Sequence, residues 1–238
     1  MIQTLRQRTE EIGRFRVDSL VVLPFDKQLS ELSAADFLDQ ILAGSLRAKV
    51  IVVGKNFRFG KNREGDLSLL ERLSDKAGIR IQSVPPVRRN GEIVSSSLIR
   101  SLIQSSDITA ANRLLGHHYE IEGRVISGRA RGKKLGFPTA NILPENEILP
   151  YGVFITSTLH RGKAYPSLTN VGRRPTFDER DILIETYLID FQGDLYEQHV
   201  AVRFRKRIRD EMKFLSAEDL AKQIERDLEA AKRDFGPD

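Results

Sequence analysis

The run Gly123-Arg-Val-Ile-Ser-Gly-Arg-Ala-Arg-Gly-Lys-Lys-Leu-Gly-Phe-Pro-Thr-Ala-Asn141 sets four glycines, five cations and a Thr139/Asn141 pair between two apolar stretches. Glycines at 123, 128, 132 and 136 leave backbone N–H groups free to turn toward an anion. Arg129, Arg131, Lys133 and Lys134 add positive charge. Side chains two apart in an extended segment share a face, so the Thr139 hydroxyl and the Asn141 amide carbonyl can converge on a hard cation that prefers oxygen, such as Mg²⁺ carried by a nucleotide. The residue types also suit a solvated basic hairpin loop, and the run matches neither G-x-x-x-x-G-K-[ST] nor G-x-G-x-x-G.

A second candidate is Glu185, within Ile182-Leu-Ile-Glu-Thr-Tyr-Leu-Ile189 and on the strand face of Leu183, Tyr187 and Ile189. A carboxylate among apolar neighbours either points outward from an edge strand or has a partner or a task. Beside a phosphate and cation loop it can accept the proton of an attacking hydroxyl, the one proton transfer that phosphoryl transfer to an alcohol requires. Arg209 can hold an anionic or planar ligand and Phe214 can stack on one, or they are a surface ion pair and a core ring. Thr169-Asn-Val-Gly-Arg-Arg-Pro-Thr-Phe177 reads as a polar loop after a strand, either a flap or an ordinary connection. Val53-Gly-Lys-Asn-Phe-Arg-Phe-Gly60 and Ser95-Ser-Ser-Leu-Ile-Arg100 suit a nucleotide at a strand end and a helix N-terminus, or a turn and an N-cap cluster.

The elements that must position these groups fall into two patterns. Up to residue 116, Ser19–Leu23, Lys49–Val53 and Ile79–Val84 read as strands. They alternate with a helix opened by Ser33 and stopped by Gly44, a helix over 66–77 and two short helices over 97–104 and 107–115. Such alternation predicts a parallel sheet with helices on its faces. After Gly116-His-His118 the period changes to two: 119–127, 152–160, 164–171, 182–191 and 196–205 predict a small antiparallel barrel. Ser216 then caps a helix whose Leu220, Ile224, Leu228 and Ala231 share a face. The expected domains are 1–116 and 117–238, and the fold class is α/β followed by all-β.

Composition narrows the partners. No cysteine occurs among the 238 residues, which excludes disulfides and thiolate chemistry and suits the cytoplasm. No apolar run is long enough to span a membrane. The formal charge of +5 comes from 38 cations interspersed with 33 acids, a bias that phosphorylated small molecules satisfy as well as nucleic acid does. Aromatic platforms between the cations are missing, which argues against a nucleic-acid groove.

Gly-Phe-Pro-Thr-Ala-Asn141, Asn170-Val-Gly-Arg-Arg-Pro-Thr-Phe177, Glu185-Thr, Asp194-Leu-Tyr196 and Ile208-Arg…Lys-Phe214 resemble, in order, the kinase motifs of the bacterial bifunctional riboflavin kinase/FAD synthetase family. Val53–Gly60 and Ser95–Arg100 resemble motifs of its adenylylating module. The resemblance implies a partial Rossmann-like nucleotidyltransferase domain followed by a riboflavin-kinase-type barrel with a C-terminal helix, converting riboflavin and ATP to FMN, with FAD as a further product. It implies Mg²⁺ with ATP at Thr139 and Asn141, Glu185 as base for the ribityl 5′-hydroxyl, and ATP contacts at Gly128, Arg131, Lys133, Gly136 and Pro138. Flavin contacts fall on Tyr196, Arg209 and Phe214, and a residual adenylyltransferase site on Asn56, Phe57, Gly60, Ser96, Ser97 and Arg100. Tyr187 stands where the family commonly carries His, and Asn56 where an Asp is usual. The Gly-x-Phe-Asp-Gly-x-His-x-Gly-His type motif of that module does not occur, so adenylylation is expected to be poor. A flavin-binding protein without turnover and a basic nucleic-acid-binding barrel are the competing readings.

Overall fold

A computed structural model describes residues 1–128, 136–173 and 182–236. The chain forms two compact units, Val17–Val94 and a larger one made of Met1–Arg16 with Ser95–Asp238. Helix α1 (Leu5–Gly13) opens the larger unit with a capping box between Thr4 and Gln7.

The smaller unit contains α2 (Lys27–Glu31), a turn of helix α3 (Ala34–Asp36) that continues in π form over Phe37–Ser45, β1 (Val50–Gly54), α4 (Leu67–Lys76) and β2 (Arg80–Val84), followed by a ribbon of β3 (Arg88–Arg89) and β4 (Glu92–Ile93). β1 and β2 pair in parallel, Val50 to Arg80 through Gly54 to Val84. Ala34, Leu38, Phe59 and Leu70 form the buried core. Two expectations fail here. Gly44 does not stop the helix that Ser33 caps; the chain carries it to Ser45. Ser19–Leu23 is not a strand, because none of the described strands pairs with it, and Leu20 to Leu23 stay exposed.

In the larger unit, α5 (Ser96–Gln104) and α6 (Ile108–Leu115) are capped by Ser95 and Asp107, and Gly116 ends α6 at φ +80°. Six antiparallel strands then close a barrel: β5 (Tyr119–Ile126), β6 (Ala140–Pro144), β7 (Gly152–His160), β8 (Lys163–Arg173), β9 (Ile182–Leu188) and β10 (His199–Arg209), in spatial order β10-β5-β6-β9-β8-β7. Alternate residues fill the interior, among them Ile121, Ile142, Phe154, Val171, Ile184 and Phe204, all fully buried. Helix α7 (Ala217–Phe235) lays Leu228 and Ala231 on the outer wall against Ile155, Leu168 and Ile189, the face its spacing predicts. The predicted strand 164–171 is borne out and extends to Arg173, so the first residues of the segment also read as a loop are strand: β8 pairs with β9 to Arg173 and with β7 to Val171.

Two joints tie helices to the barrel. Asn112 of α6 donates to the Phe204 carbonyl at 2.8 Å and accepts from the Tyr119 N–H at 2.7 Å. Under α1, Gln7 donates to the Glu120 carbonyl and accepts from Asn146, while Thr4 and Arg6 engage the fully buried carboxylate of Glu122.

Candidate functional site

One row of side chains across the outer barrel wall brings the predicted metal ligand Asn141 beside the predicted base Glu185. Asn141 on β6 stands directly opposite Glu185 on β9, Glu185 opposite Asn170 on β8, and Asn170 opposite Val153 on β7. Directly opposed residues on one sheet face bring their Cβ atoms to roughly 5 Å, so the two amides flank the carboxylate within side-chain reach. Their strand neighbours Ile142, Ile184, Thr186, Thr169 and Val171 are fully buried on the other face, which assigns this row to the outside.

Among the described residues, five buried side-chain polar atoms lack a hydrogen-bond partner, and two of these are Asn141 Oδ1 and Asn170 Oδ1. Native proteins pair nearly all such atoms, so two orphans on either side of one carboxylate mark a place a ligand completes. Both oxygens suit a hard cation. Thr139 is half-buried just before β6, and continuing the register carries it toward Tyr187, on the face of Asn141. Phe137 meets the Tyr187 ring edge-on at 5.8 Å, closing that end of the row. Among the described residues no group of three or more His, Cys, Asp or Glu could hold a metal, so a cation here would rest on neutral oxygens beside one carboxylate.

Glycine at 128 leaves room for the Asn141 amide: a Cβ there would fall inside hard contact of that amide and displace it. Gly136, at φ +84°, is needed for its backbone rather than for space. It and Pro138 are exposed, whereas Arg131 and Lys133 lie outside the described residues.

The three predicted flavin contacts do not converge. Tyr196 is exposed in the β9–β10 connection, and the Glu197 N–H bonds to the Val125 carbonyl at 2.9 Å, which sets Tyr196 near the end of β5. Arg209 closes β10 at its other end, and its guanidinium grips Asp227 of α7 through Nε at 3.0 Å and Nη2 at 2.7 Å. Phe214 is half-buried between β10 and α7. Of the adenylyltransferase candidates, Phe57 stacks on Phe59 at 5.5 Å and Gly60, at φ +73°, lies hard against Ala34. Asn56 occupies the turn after β1. These three belong to the smaller unit. Ser96, Ser97 and Arg100 lie on α5 in the larger one, where Arg100 bonds to Ser97 at 3.1 Å.

A cavity of about 470 Å³ between α1 and the barrel holds none of the predicted residues. Of its arginines, Arg6 pairs with Glu10 and Glu122, Arg14 with Glu11 and Arg203 with Glu120, while Arg161 donates to the neutral Gln198 amide oxygen at 3.2 Å. The sequence reading gives no separate role to two contributors: Asn170, within both the predicted strand 164–171 and the motif that begins at 170, and Glu211, within Ile208–Phe214, which accepts from Asn170 Nδ2 at 3.1 Å.

Two family models match the chain, riboflavin kinase over residues 115–235 and FAD synthetase over residues 1–98. The bifunctional riboflavin kinase/FMN adenylyltransferase of Escherichia coli (strain K12) is 36% identical over 98% of this chain and 75% of its own. The protein of that name from Haemophilus influenzae is 35% identical over 98% of this chain and 77% of its own. A crystal structure described as a macrolide-efflux protein from Streptococcus pneumoniae superposes with a TM-score of 0.88 at 30% identity, covering 97% of this chain and 75% of that one. With sequence motifs, barrel and relatives in agreement, the chain belongs to the bifunctional riboflavin kinase/FMN adenylyltransferase family.

Proposed function

We propose that this protein transfers the γ-phosphoryl group of ATP to the 5′-hydroxyl of riboflavin, giving FMN, with residues 117–238 as the kinase module and 1–116 as the FAD synthetase module. The observation that carries the site assignment is the cross-strand adjacency of Asn141 and Glu185, with an unpartnered amide oxygen at Asn141. In this reading Thr139 and Asn141 hold Mg²⁺, which when bound neutralises phosphate charge. Glu185 accepts the proton of the ribityl hydroxyl as it attacks. Gly128 and Gly136 bring backbone close to the nucleotide, Arg131 and Lys133 supply positive charge, and Pro138 stiffens the approach to Thr139. Tyr196 and Phe214 lie at opposite ends of β10, so at most one of these two family positions faces flavin, and Arg209 acts through Asp227 as a clamp on α7.

The test is purified protein with riboflavin, ATP and Mg²⁺, resolved by chromatography. FMN is expected, and its absence refutes the kinase reading, including the outcome in which flavin binds without turnover. Glu185→Ala is expected to lower kcat by about 10²-fold or more, the usual contribution of a general base. Conversion of FMN to FAD is proposed to be slow, because Asn56, in the turn after β1, offers an amide where the family usually has a carboxylate. The reaction takes small-molecule substrates and neither nucleic acid nor membrane. Among the described residues no helix is long and apolar enough to cross a bilayer, and a chain without cysteine suits the reducing cytoplasm.

A further inference from the structure

We propose that Asn170 supplies a further oxygen to the divalent cation of this site, held in orientation by Glu211; the inference rests on the kinase reading of the same row. An amide side chain has a donor end and an acceptor end, and its rotation is set by what the donor end meets. Asn170 Nδ2 donates to Glu211 Oε1 at 3.1 Å, and a carboxylate oxygen accepts, so the nitrogen must face Glu211 and Oδ1 the other way. That oxygen is buried without a partner.

The arrangement is repeated on both sides of Glu185. Asn141 rests against Gly128, whose missing Cβ makes room for the amide, and its Oδ1 is likewise unpartnered. Gly172, two residues beyond Asn170 on the same strand face, makes room for the Glu211 carboxylate, which a Cβ there would strike. Each amide oxygen is thus seated by a glycine-lined contact, and the two bracket the one carboxylate in the row. Carbonyl-type oxygens set beside a carboxylate suit a hard divalent cation, whose remaining positions go to water and phosphate. A hydroxyl-bearing substrate would need only one acceptor, whereas this row leaves two vacant.

The experiment titrates the full chain with Mn²⁺ in the presence of a non-hydrolysable ATP analogue, following free Mn²⁺ by electron paramagnetic resonance, alongside riboflavin affinity by fluorescence quenching. Asn170→Ala is expected to weaken Mn²⁺ about 10-fold or more, with riboflavin affinity unchanged. Asn170→Asp combined with Glu211→Gln keeps an oxygen at 170 and a donor facing it, and is expected to retain Mn²⁺. Glu211→Ala, which frees the amide to rotate, is expected to raise the metal concentration for half-maximal turnover while leaving kcat at saturating metal close to that of the parent. Mn²⁺ binding by Asn170→Ala equal to the parent overturns the proposal. So does Asn170→Asp with Glu211→Gln losing as much Mn²⁺ affinity as Asn170→Ala, or a loss confined to riboflavin. Parent protein that binds Mn²⁺ with the analogue yet makes no FMN refutes the kinase reading instead, so the two failures are distinguishable.

Discussion

Replacing Arg209 by Met separates a ligand from a clamp. The family resemblance assigns this arginine to flavin, whereas the structure turns its guanidinium onto Asp227 of α7, whose second donor is Gln223 Nε2 at 2.9 Å. Asp227 is 5% exposed and Arg209 is 19% exposed by side chain, so the pair is largely desolvated. Removing one partner of a buried pair costs about 3–5 kcal/mol, because the remaining charge loses its compensation. Partial exposure of the arginine and the surviving Gln223 bond place the expected loss at the lower end, about 3 kcal/mol. For a chain of this size, each kcal/mol moves the melting temperature by about 2–4 °C, so Arg209→Met should melt about 6–12 °C below the parent.

The double variant Arg209→Met with Asp227→Leu removes both charges and should recover most of that loss, since apolar replacement of a buried pair is often neutral. Thermal denaturation by circular dichroism measures stability, and quenching of riboflavin fluorescence measures affinity on the same samples. If Arg209→Met melts with the parent but loses riboflavin, the arginine is a flavin ligand and the clamp argument is wrong. If the double variant is no more stable than Arg209→Met, the ion pair is not what holds α7.

Gly128→Ala places a methyl where the Asn141 amide lies and should raise the metal concentration for half-maximal turnover about 10-fold, with kcat at saturating metal less affected; an unchanged metal dependence would remove Asn141 from the site. Thr169→Val takes the central hydroxyl from an interior chain in which Thr156 lies at 2.7 Å and Thr186 at 3.0 Å, and should cost about 1–3 kcal/mol in urea denaturation, while no loss would mean that the ladder is not stabilising. His118 and His160 are both held below the ordinary imidazole value of 6.5, chiefly by burial, with Arg205 and Arg203 adding to the effect at His118 and Arg161 at His160. The folded state refuses protons that the unfolded chain accepts, so this contribution to stability is complete above pH 6.5 and is lost as pH falls below it toward the depressed folded values. Melting should therefore be lower at pH 5 than at pH 7.5, and substituting both histidines by Gln should narrow the gap; an unchanged gap would assign the acid sensitivity elsewhere.

Local signals were legible where local chemistry decides. Asp66, Ser95, Asp107 and Ser216 each cap a helix at or within two residues of the predicted start, because an N-cap is settled by a side chain and a backbone N–H three residues on. Period-two alternation located five barrel strands, since one face of each is interior. Pairing is not local, and the misses follow from that. Ser19–Leu23 has the composition of a strand but no partner among the described strands. β6 was visible only as an extended stretch, and its role in joining β5 to β9 depends on residues over forty positions away. Asn170 falls both in the strand predicted over 164–171 and in the loop predicted over 169–177, because Gly172 and the Pro at 175 signal a loop, whereas Gly172 is a strand residue whose smallness answers to Glu211. For the site, Asn141 and Glu185 could be nominated from the chain, but their opposition could not.

The two faces of the same strands explain why the outer row is the one to interrogate. Inside the barrel, Thr156, Thr158, Ser167, Thr169 and Thr186 are fully buried, and every one of these hydroxyls meets another: Thr158 with Ser167, Ser167 with Thr156, Thr156 with Thr169, and Thr169 with Thr186. Burying polar groups is tolerable there because the chain is closed on itself and no acceptor is left waiting. One residue along, on the reverse face of β6 and β8, Asn141 and Asn170 bury amide oxygens with no partner, on either side of Glu185. A fold that satisfies five interior hydroxyls across β7, β8 and β9 has the means to satisfy two exterior amides as well. That it leaves those two open, and uses glycines at 128 and 172 to hold their surroundings in place, is the arrangement expected of groups whose partner arrives with the substrate.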